Sequence, residues 1–311
     1  MLHTNPNQLT RRRFKQLKKK MHEIAVPFRL RAYKLFAPKE ISIVPFYTSV
    51  PPVARKIPNS VYQKWNGPFL PYMHAMEVRR FRRLNPDYSF VFFDDKRMND
   101  YMSSRYEGHP ILDVFRQIQI PASKVDVWRY CILYQEGGVY CDIDSALSVP
   151  LRELLKDDPS EVISFENNKW RDVLSPGSYA DPKIFFSGPP REATQNLDYP
   201  DHLVLQWLLC FEKGSPILEE VINLIARHFE FFRGKEFESV WKAVIHCTGA
   251  VAFTQAVWKW ISRTKKRPYQ CGIDYQGEGV WKVPGSWHLH DAIPHYSQWP
   301  TSSLTNPRPE R

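Results

Sequence analysis

The clearest prediction of the fold comes from residues 122–145, Ala122-Ser-Lys-Val-Asp-Val-Trp-Arg-Tyr-Cys-Ile-Leu-Tyr-Gln-Glu-Gly-Gly-Val-Tyr-Cys-Asp-Ile-Asp-Ser145. Apolar residues recur at helical spacing up to residue 136, and a β-type run follows at 139–143. Between the two, Gly137 suits the left-handed residue that commonly ends a helix. The pattern predicts a helix, a tight turn and a buried strand that carries Asp142-Ile-Asp144.

The same alternation of helix and strand patterns extends outward from this stretch. It predicts an α/β fold in which a mostly parallel sheet is flanked by helices. The last predicted helix begins at Pro216, with Ser215 as its expected cap. We expect helices at 72–84, 122–136 and 216–232, and strands at 60–65, 88–93, 139–143, 162–165 and 183–186.

The charged residues of the stretch are spaced so that they share faces. Asp126 and Arg129 lie three apart on the helix, and Asp142 and Asp144 lie two apart on the strand, so each pair points one way. Tyr140 would face the same side as the two strand carboxylates. Paired carboxylates need a compensating charge, and a hard divalent cation such as Mn²⁺ or Mg²⁺ supplies it through oxygen ligands. Such a cation bridges naturally to a diphosphate and stabilises it as a leaving group.

An Asp-x-Asp pair alone occurs in many chains, but here it follows Asp-x-x-Arg and Gly-Gly-x-Tyr at fixed distances. The combined pattern resembles the DXD-containing sugar-binding region of the family 32 glycosyltransferases. That family includes α-mannosyltransferases, inositol-phosphoceramide mannosyltransferases and capsular-polysaccharide transferases. Val125 and Cys141 depart from the usual Ser and aliphatic residue. The residues in register are Ala122, Asp126, Arg129, Leu133, Gly137, Gly138, Tyr140, Asp142 and Asp144.

Weaker resemblance to the same family extends over roughly residues 55–300. Residues 57–65 are similar to its first strand, although Tyr62 replaces the usual His, and residues 85–95 are similar to its second strand. Residues 246–250 resemble a Thr-Gly-Pro turn with Ala250 in place of Pro, and 295–299 resemble the closing His-x-x-Ser-Trp region.

The resemblance implies a GT-A-type, Rossmann-like single catalytic domain and a metal-dependent, retaining transfer. The donor would be a UDP- or GDP-sugar, and the acceptor a hydroxyl of a glycan, a polysaccharide or a lipid. Asp144 and Asp142 would hold the metal. His295 would complete the metal sphere, with His290 and Asp291 as alternatives.

The donor would be bound by residues from several segments. The resemblance implies that Asp126 accepts hydrogen bonds from sugar hydroxyls, while the planar fork of Arg129 suits sugar or diphosphate oxygens. Trp65 would stack on the nucleobase or else pack in the core, and Tyr140 would face the site or pack. Thr248 is the remaining donor-binding candidate.

The basic charge of the chain is concentrated at its beginning. Residues 1–40 hold 11 basic and two acidic residues, which accounts for +9 of the formal net charge of +10. We therefore expect a basic extension at 1–50, a glycosyltransferase domain at 51–299 and a flexible tail at 300–311. Three interpretations of residues 1–40 stay open: a solvated tail, peripheral contact with an anionic membrane, or nucleic-acid binding. No nucleic-acid-binding motif supports the third, and we expect no such partner.

Composition excludes several classes of protein. No apolar run reaches about 18 residues, and no apolar stretch follows the basic beginning, so we expect neither a membrane-spanning helix nor a secretory signal. The five cysteines are scattered, which argues against a disulfide framework and favours the cytoplasm or the inner face of a membrane. Two alternatives to a transferase remain: a haloacid-dehalogenase-like phosphatase that uses the Asp-x-Asp pair, and a Trp-rich carbohydrate-binding protein.

Overall fold

The computed structural model describes residues 48, 54–66, 70, 72–173, 188–275, 277–282 and 303–305. The basic extension, the expected strand at 183–186 and His295 with its two alternatives lie outside these ranges. The membrane and domain-boundary expectations therefore stay predictions. Within the described ranges, no helix has the length and apolar character that crossing a bilayer would require.

The described ranges fold into nine strands and ten helices. The strands are β1 Ser60–Lys64, β2 Ser89–Phe93, β3 Gly138–Cys141, β4 Ser145–Leu147, β5 Glu161–Lys169, β6 His202–Val204, β7 Leu208–Phe211, β8 Tyr269–Ile273 and β9 Val280–Lys282. The helices are α1 Tyr72–Leu84, α2 Asp95–Arg105, α3 Pro110–Gln117, α4 Pro121–Glu136, α5 Leu151–Leu154, α6 Trp170–Val173, α7 Arg191–Asn196, α8 Pro216–Phe232, α9 Val240–Cys247 and α10 Ala250–Thr264.

One seven-stranded sheet forms the centre of the fold. Its order is β2-β1-β3-β7-β5-β6, with β8 beside β5. The pairings of β1 with β2, β1 with β3 and β5 with β8 are parallel, and each joins strands separated by helical crossovers. The pairings of β3 with β7, β5 with β7 and β5 with β6 are antiparallel. The expected α/β class is confirmed, and β4 and β9 form a separate two-stranded sheet.

The turn between α4 and β3 is built from its two glycines. Gly137 has φ +68° and its N–H donates to the Leu133 carbonyl, which closes the helix as expected. Gly138 has φ +103°, and a Cβ atom there would lie 2.6 Å from the Ser60 carbonyl oxygen. A side chain at Gly138 would push β3 away from β1, and one at Gly137 would clash with Pro58 and the Lys213 backbone, so the turn fixes where the Asp-x-Asp segment begins.

The core surrounds α4 on all sides. Trp128 packs against Phe93 with ring centroids 4.9 Å apart, and Tyr130 stacks on Phe253 at 5.4 Å. The polar face of the helix is also buried, since Asp126 and Arg129 are only 4% and 8% exposed. Buried charges persist in proteins when they are paired or line a ligand site.

Two smaller expectations have defined outcomes. The helix predicted at 216–232 is confirmed, but Ser215 makes no side-chain capping bond, so that expectation was wrong. All five cysteines are free and buried, which agrees with the prediction that they do not form a disulfide framework.

Candidate active site

The Asp-x-Asp pair lies on a turn that follows β3. The strand ends at Cys141, so the prediction of a strand through residue 143 was wrong. The reason is local, because the Ser145 N–H donates to the Asp142 carbonyl and reverses the chain. The Asp142 N–H donates to the Trp207 carbonyl at 2.9 Å, which anchors the turn to the segment before β7.

Both carboxylates of the pair nevertheless converge on one point. The Lys282 ammonium lies 2.9 Å from Asp142 Oδ2 and 2.6 Å from Asp144 Oδ1. Burial alone would lower the pKa of Lys282, but the two carboxylates outweigh it and raise that pKa. Burial likewise opposes ionisation of Asp142, while Lys282 and Arg129 bring its pKa below the ordinary value.

The other carboxylate oxygen of Asp142, Oδ1, contacts two buried side chains. The Tyr140 hydroxyl donates to Asp142 Oδ1 at 2.6 Å, and Arg129 Nη2 lies 3.8 Å from the same oxygen. The Arg129 guanidinium also stacks over the Tyr140 ring at 4.5 Å. Tyr140 is buried, so the structure places it as a support of Asp142.

Asp126 and Arg129, which were predicted to share one face of a helix, form an ion pair. Arg129 Nη2 lies 3.1 Å from Asp126 Oδ1, and the Thr248 hydroxyl donates to Asp126 Oδ2 at 2.9 Å. Arg129 Nη1 donates to the Gln206 carbonyl, while its Nε is buried and finds no partner among the described groups. Burial raises the pKa of Asp126, against the opposing effect of Arg129. Thr248, which was predicted to bind the donor, thus contacts the Asp126 carboxylate.

A cavity of about 210 Å³ opens beside these groups. Its polar wall joins carboxylates, a guanidinium and an amide, and its other wall comes from the junction of α9 and α10. The polar wall includes Asp126, Arg129, Asp142, Glu166 and Gln206, and the rest of the lining includes Trp207, Trp241 and Gly249. The cavity therefore offers both hydrogen-bonding groups and aromatic faces to a ligand, as small-molecule sites do.

Glu166 is a cavity residue that sequence reasoning missed. It follows the buried part of β5, and burial raises the pKa of its carboxyl to about 7. Asn168 Nδ2 donates to Glu166 Oε2 at 3.1 Å. Its place directly after the predicted strand at 162–165 is the signal that could have found it, since ligand sites gather at strand ends. Lys282, Gln206, Trp207 and Trp241 carried no comparable local signal.

Trp65 is a predicted donor-binding residue that the structure does not bring to these groups. Trp65 directly follows β1 and is half-buried, and its backbone N–H donates to the Phe93 carbonyl. It is not among the described residues that line the cavity. His295 lies outside the described residues, so its role stays a prediction.

The carboxylate oxygens of Asp142 and Asp144 are ligands that fit a hard divalent cation. Two carboxylates direct oxygen atoms at a single point, and a positive charge, the Lys282 ammonium, already lies at that point. Across the described residues, no group of three or more His, Cys, Asp and Glu side chains is arranged to hold a metal. A cation bound by Asp142 and Asp144 would thus take its other ligands from water or substrate oxygens, as Mg²⁺ commonly does.

Comparison with known families locates a match on the same part of the chain. Residues 71–161 match the family described as "Glycosyltransferase sugar-binding region containing DXD motif". This range contains Asp126, Arg129, Asp142 and Asp144, and the match confirms the resemblance drawn from the sequence.

Curated relatives carry the same kind of name. The chain is 32% identical over 111 residues to inositol phosphoceramide mannosyltransferase 1 of Schizosaccharomyces pombe, which covers 35% of this chain and 34% of the relative. It is 25% identical over 221 residues to the initiation-specific alpha-1,6-mannosyltransferase of the same organism, which covers 68% of this chain and 50% of the relative. The chain thus spans about half or less of the length of these relatives.

Among solved structures, the PaToxG glycosyltransferase aligns with a TM-score of 0.43 at 16% identity. The alignment covers 66% of this chain and 70% of that one. A likeness this low carries no functional argument.

Proposed function

We propose that this chain, whose residues 71–161 match the DXD-containing sugar-binding region of glycosyltransferases, transfers a sugar from a nucleoside diphosphate sugar to an acceptor hydroxyl. The convergence of Asp142 and Asp144 on one cationic point beside the cavity is the observation that carries the proposal. Two carboxylates so placed are suited to a diphosphate only through an intervening cation.

Asp142 and Asp144 would hold Mn²⁺ or Mg²⁺, which when bound supplies Lewis-acid stabilisation of the departing diphosphate. The protein residues do the rest. Arg129 lines the cavity, and its charge favours the diphosphate as negative charge develops. Tyr140 and Thr248 hold Asp142 and Asp126 in fixed orientations, which keeps the cavity wall pre-organised.

The sugar would occupy the cavity against Asp126. Its carboxylate is fixed by Arg129 and Thr248 and can accept hydrogen bonds from sugar hydroxyls. In the transfer, the bond from the anomeric carbon to the phosphate oxygen breaks and a bond to the acceptor oxygen forms. The acceptor proton passes to the diphosphate, and retention of configuration is the expected outcome.

Mannose is the sugar we propose first, because the relatives are named as mannosyltransferases. The acceptor would be a hydroxyl of a glycan, a polysaccharide or a lipid, and one relative is named for inositol phosphoceramide. Contact of residues 1–40 with an anionic membrane would bring the chain to a lipid-borne acceptor.

The phosphatase alternative is not favoured by the topology. It would be supported if Asp142 followed the first strand of the sheet, whereas this residue follows β3. A purely carbohydrate-binding protein would not need the converging Asp142 and Asp144 carboxylates.

A panel of sugar nucleotides tests the proposal. With Mn²⁺ or Mg²⁺ present, we expect slow release of the nucleoside diphosphate from one of them, with GDP-mannose and UDP-sugars assayed side by side. Asp144→Asn should lower that release at least about 100-fold, because the loss removes charge stabilisation from the transition state. Asp100→Asn, a matched change at an exposed helix position, should leave it unchanged. Full activity of Asp144→Asn with its metal present would refute the proposed site.

A further inference from the structure

Lys282 occupies the point at which the two carboxylates of the Asp-x-Asp pair meet. Its ammonium hydrogen-bonds both Asp142 and Asp144, and Nζ lies 5.0 Å from the centre of the Trp207 ring. One side-chain cation thus bridges the two residues to which the proposed function assigns a metal. The Lys282 side chain is about one-third exposed, so this point stays open to solvent and to ligands.

The backbone fixes Lys282 in this place. It is the last residue of β9, and its register partner in the antiparallel pair with β4 is Ser145. Ser145 directly follows Asp144, so the strand pairing sets the distance between the ammonium and the Asp-x-Asp turn. The Ser148 N–H, which donates to the Gly279 carbonyl, ties the other end of the same pair.

The charges around this point do not balance. Asp126, Asp142 and Asp144 carry three negative charges, whereas Arg129 and Lys282 carry two positive ones. A divalent cation added to the same two carboxylates would leave an excess of positive charge and would compete with Lys282 for oxygen atoms. A diphosphate brings negative charge of its own, and it would give both the cation and the ammonium a counter-ion.

We propose that Lys282 makes the binding of divalent metal depend on the nucleoside diphosphate. Without nucleotide, the ammonium holds Asp142 and Asp144 and weakens metal binding. With nucleotide, the ammonium transfers to phosphate oxygens and releases the carboxylates to the metal. The inference rests on the proposed function, because it assumes that the cavity receives a nucleoside diphosphate.

The test measures Mn²⁺ binding rather than transfer. Calorimetry or Mn²⁺ electron paramagnetic resonance would be carried out on the full chain, alone and with saturating GDP or UDP. In the wild type, we expect nucleotide to tighten Mn²⁺ binding at least about tenfold, and Mn²⁺ to tighten nucleotide binding by the same factor, because such coupling is reciprocal.

Lys282→Met is the decisive variant. It should bind Mn²⁺ alone at least about tenfold more tightly than the wild type, and the coupling factor should fall several-fold below the wild-type value, to the part that arises because diphosphate oxygens ligate the metal directly. Lys282→Gln is the second variant if the first does not fold. Lys96→Met removes a charge from an exposed pair with Asp100 and should change neither quantity.

Two results would overturn the inference. Equal or weaker Mn²⁺ binding by Lys282→Met would show that the ammonium does not compete with the metal. Independent binding of Mn²⁺ and nucleotide by the wild type would show that no coupling exists, yet it would leave the proposed function standing. By contrast, no Mn²⁺ binding by the wild type with any nucleoside diphosphate would contradict the proposed function itself.

Discussion

Two clusters of buried charge in this chain have opposite compositions. Between α8 and α10, the Glu220 carboxylate is 5% exposed and meets three cations at 2.7–3.1 Å, namely Arg227, Lys259 and Arg263. At the cavity, Asp126, Asp142 and Asp144 meet two cations, Arg129 and Lys282, and the Glu166 carboxyl lies in the same wall. The first cluster has excess positive charge and the second has excess negative charge.

The difference lies in where the excess charge can go. Arg227, Lys259 and Arg263 have side chains that are 53%, 36% and 54% exposed, so water solvates the surplus cations. Asp126 is almost completely buried and Asp142 lines a cavity, so their surplus charge faces the space that a ligand would occupy. Buried charge without a partner is costly. We therefore expect the Glu220 cluster to stabilise the fold and the cavity cluster to be completed by a ligand.

Among the paired changes that compare the two clusters, the largest expected effect comes from replacing an arginine in each cluster with lysine. Arg129→Lys keeps the charge but loses the planar fork that contacts Asp126 and Gln206, so sugar transfer should fall about 10- to 100-fold. Arg227→Lys should leave transfer within about twofold, because that residue only neutralises Glu220. Steady-state rates of transfer would be measured for both variants. Equal losses would contradict the proposed difference between the two clusters.

The second prediction concerns stability. Glu220→Gln removes the shared partner of three cations and should lower the free energy of unfolding by about 1–2 kcal/mol. Asp144→Asn should cost less or even stabilise the metal-free protein, because it relieves the excess of carboxylates. Urea unfolding without metal measures both, and a larger loss for Asp144→Asn would contradict the assignment.

The smallest expected effect is on pH dependence. Burial raises the pKa of both Glu161 and Glu166 to about 7, and the two lie on the same strand, β5. A carboxyl whose pKa is higher when folded than when unfolded makes the protein less stable as pH rises from about 4.5 to 7. Glu161→Gln and Glu166→Gln should each flatten this decline, which urea unfolding at a series of pH values would measure.

Nucleotide binding separates these two glutamates. Only Glu166 lines the cavity, so its ionisation should weaken binding of GDP or UDP between pH 6 and 8. The dependence should be reduced in Glu166→Gln and retained in Glu161→Gln. The same change in both variants would mean that Glu166 does not face the bound diphosphate.

The parts of the site that could be predicted from sequence are those set by local geometry. Asp126 and Arg129 share a helix face, and α4, its glycine turn and β3 deliver Asp142 and Asp144 within a few residues. These groups do meet, although Asp142 and Asp144 lie on a turn and not on a strand. The helix periodicity also located α4, yet it did not show that the polar face of that helix is buried.

The missed residues depend on contacts between distant segments. Lys282 reaches Asp142 across 140 residues through the pairing of β4 with β9. Gln206 reaches Arg129 across 77 residues because β7 pairs with β3. Neither pairing has a spacing signal, since short antiparallel strands are specified by packing as well as by their own residues.

The place of Lys282 in the chain has a consequence for how the protein is made. During synthesis, the Asp-x-Asp turn leaves the ribosome well before β9, so its carboxylates are made before the ammonium that bridges them in the folded chain. Long-range pairings of this kind form late because the intervening chain must be ordered first. A fragment that ends at residue 161 would retain the matched family region and lack Lys282, Gln206 and Thr248. The charged groups of the site are therefore brought together only after β9 has been synthesised and has paired with β4.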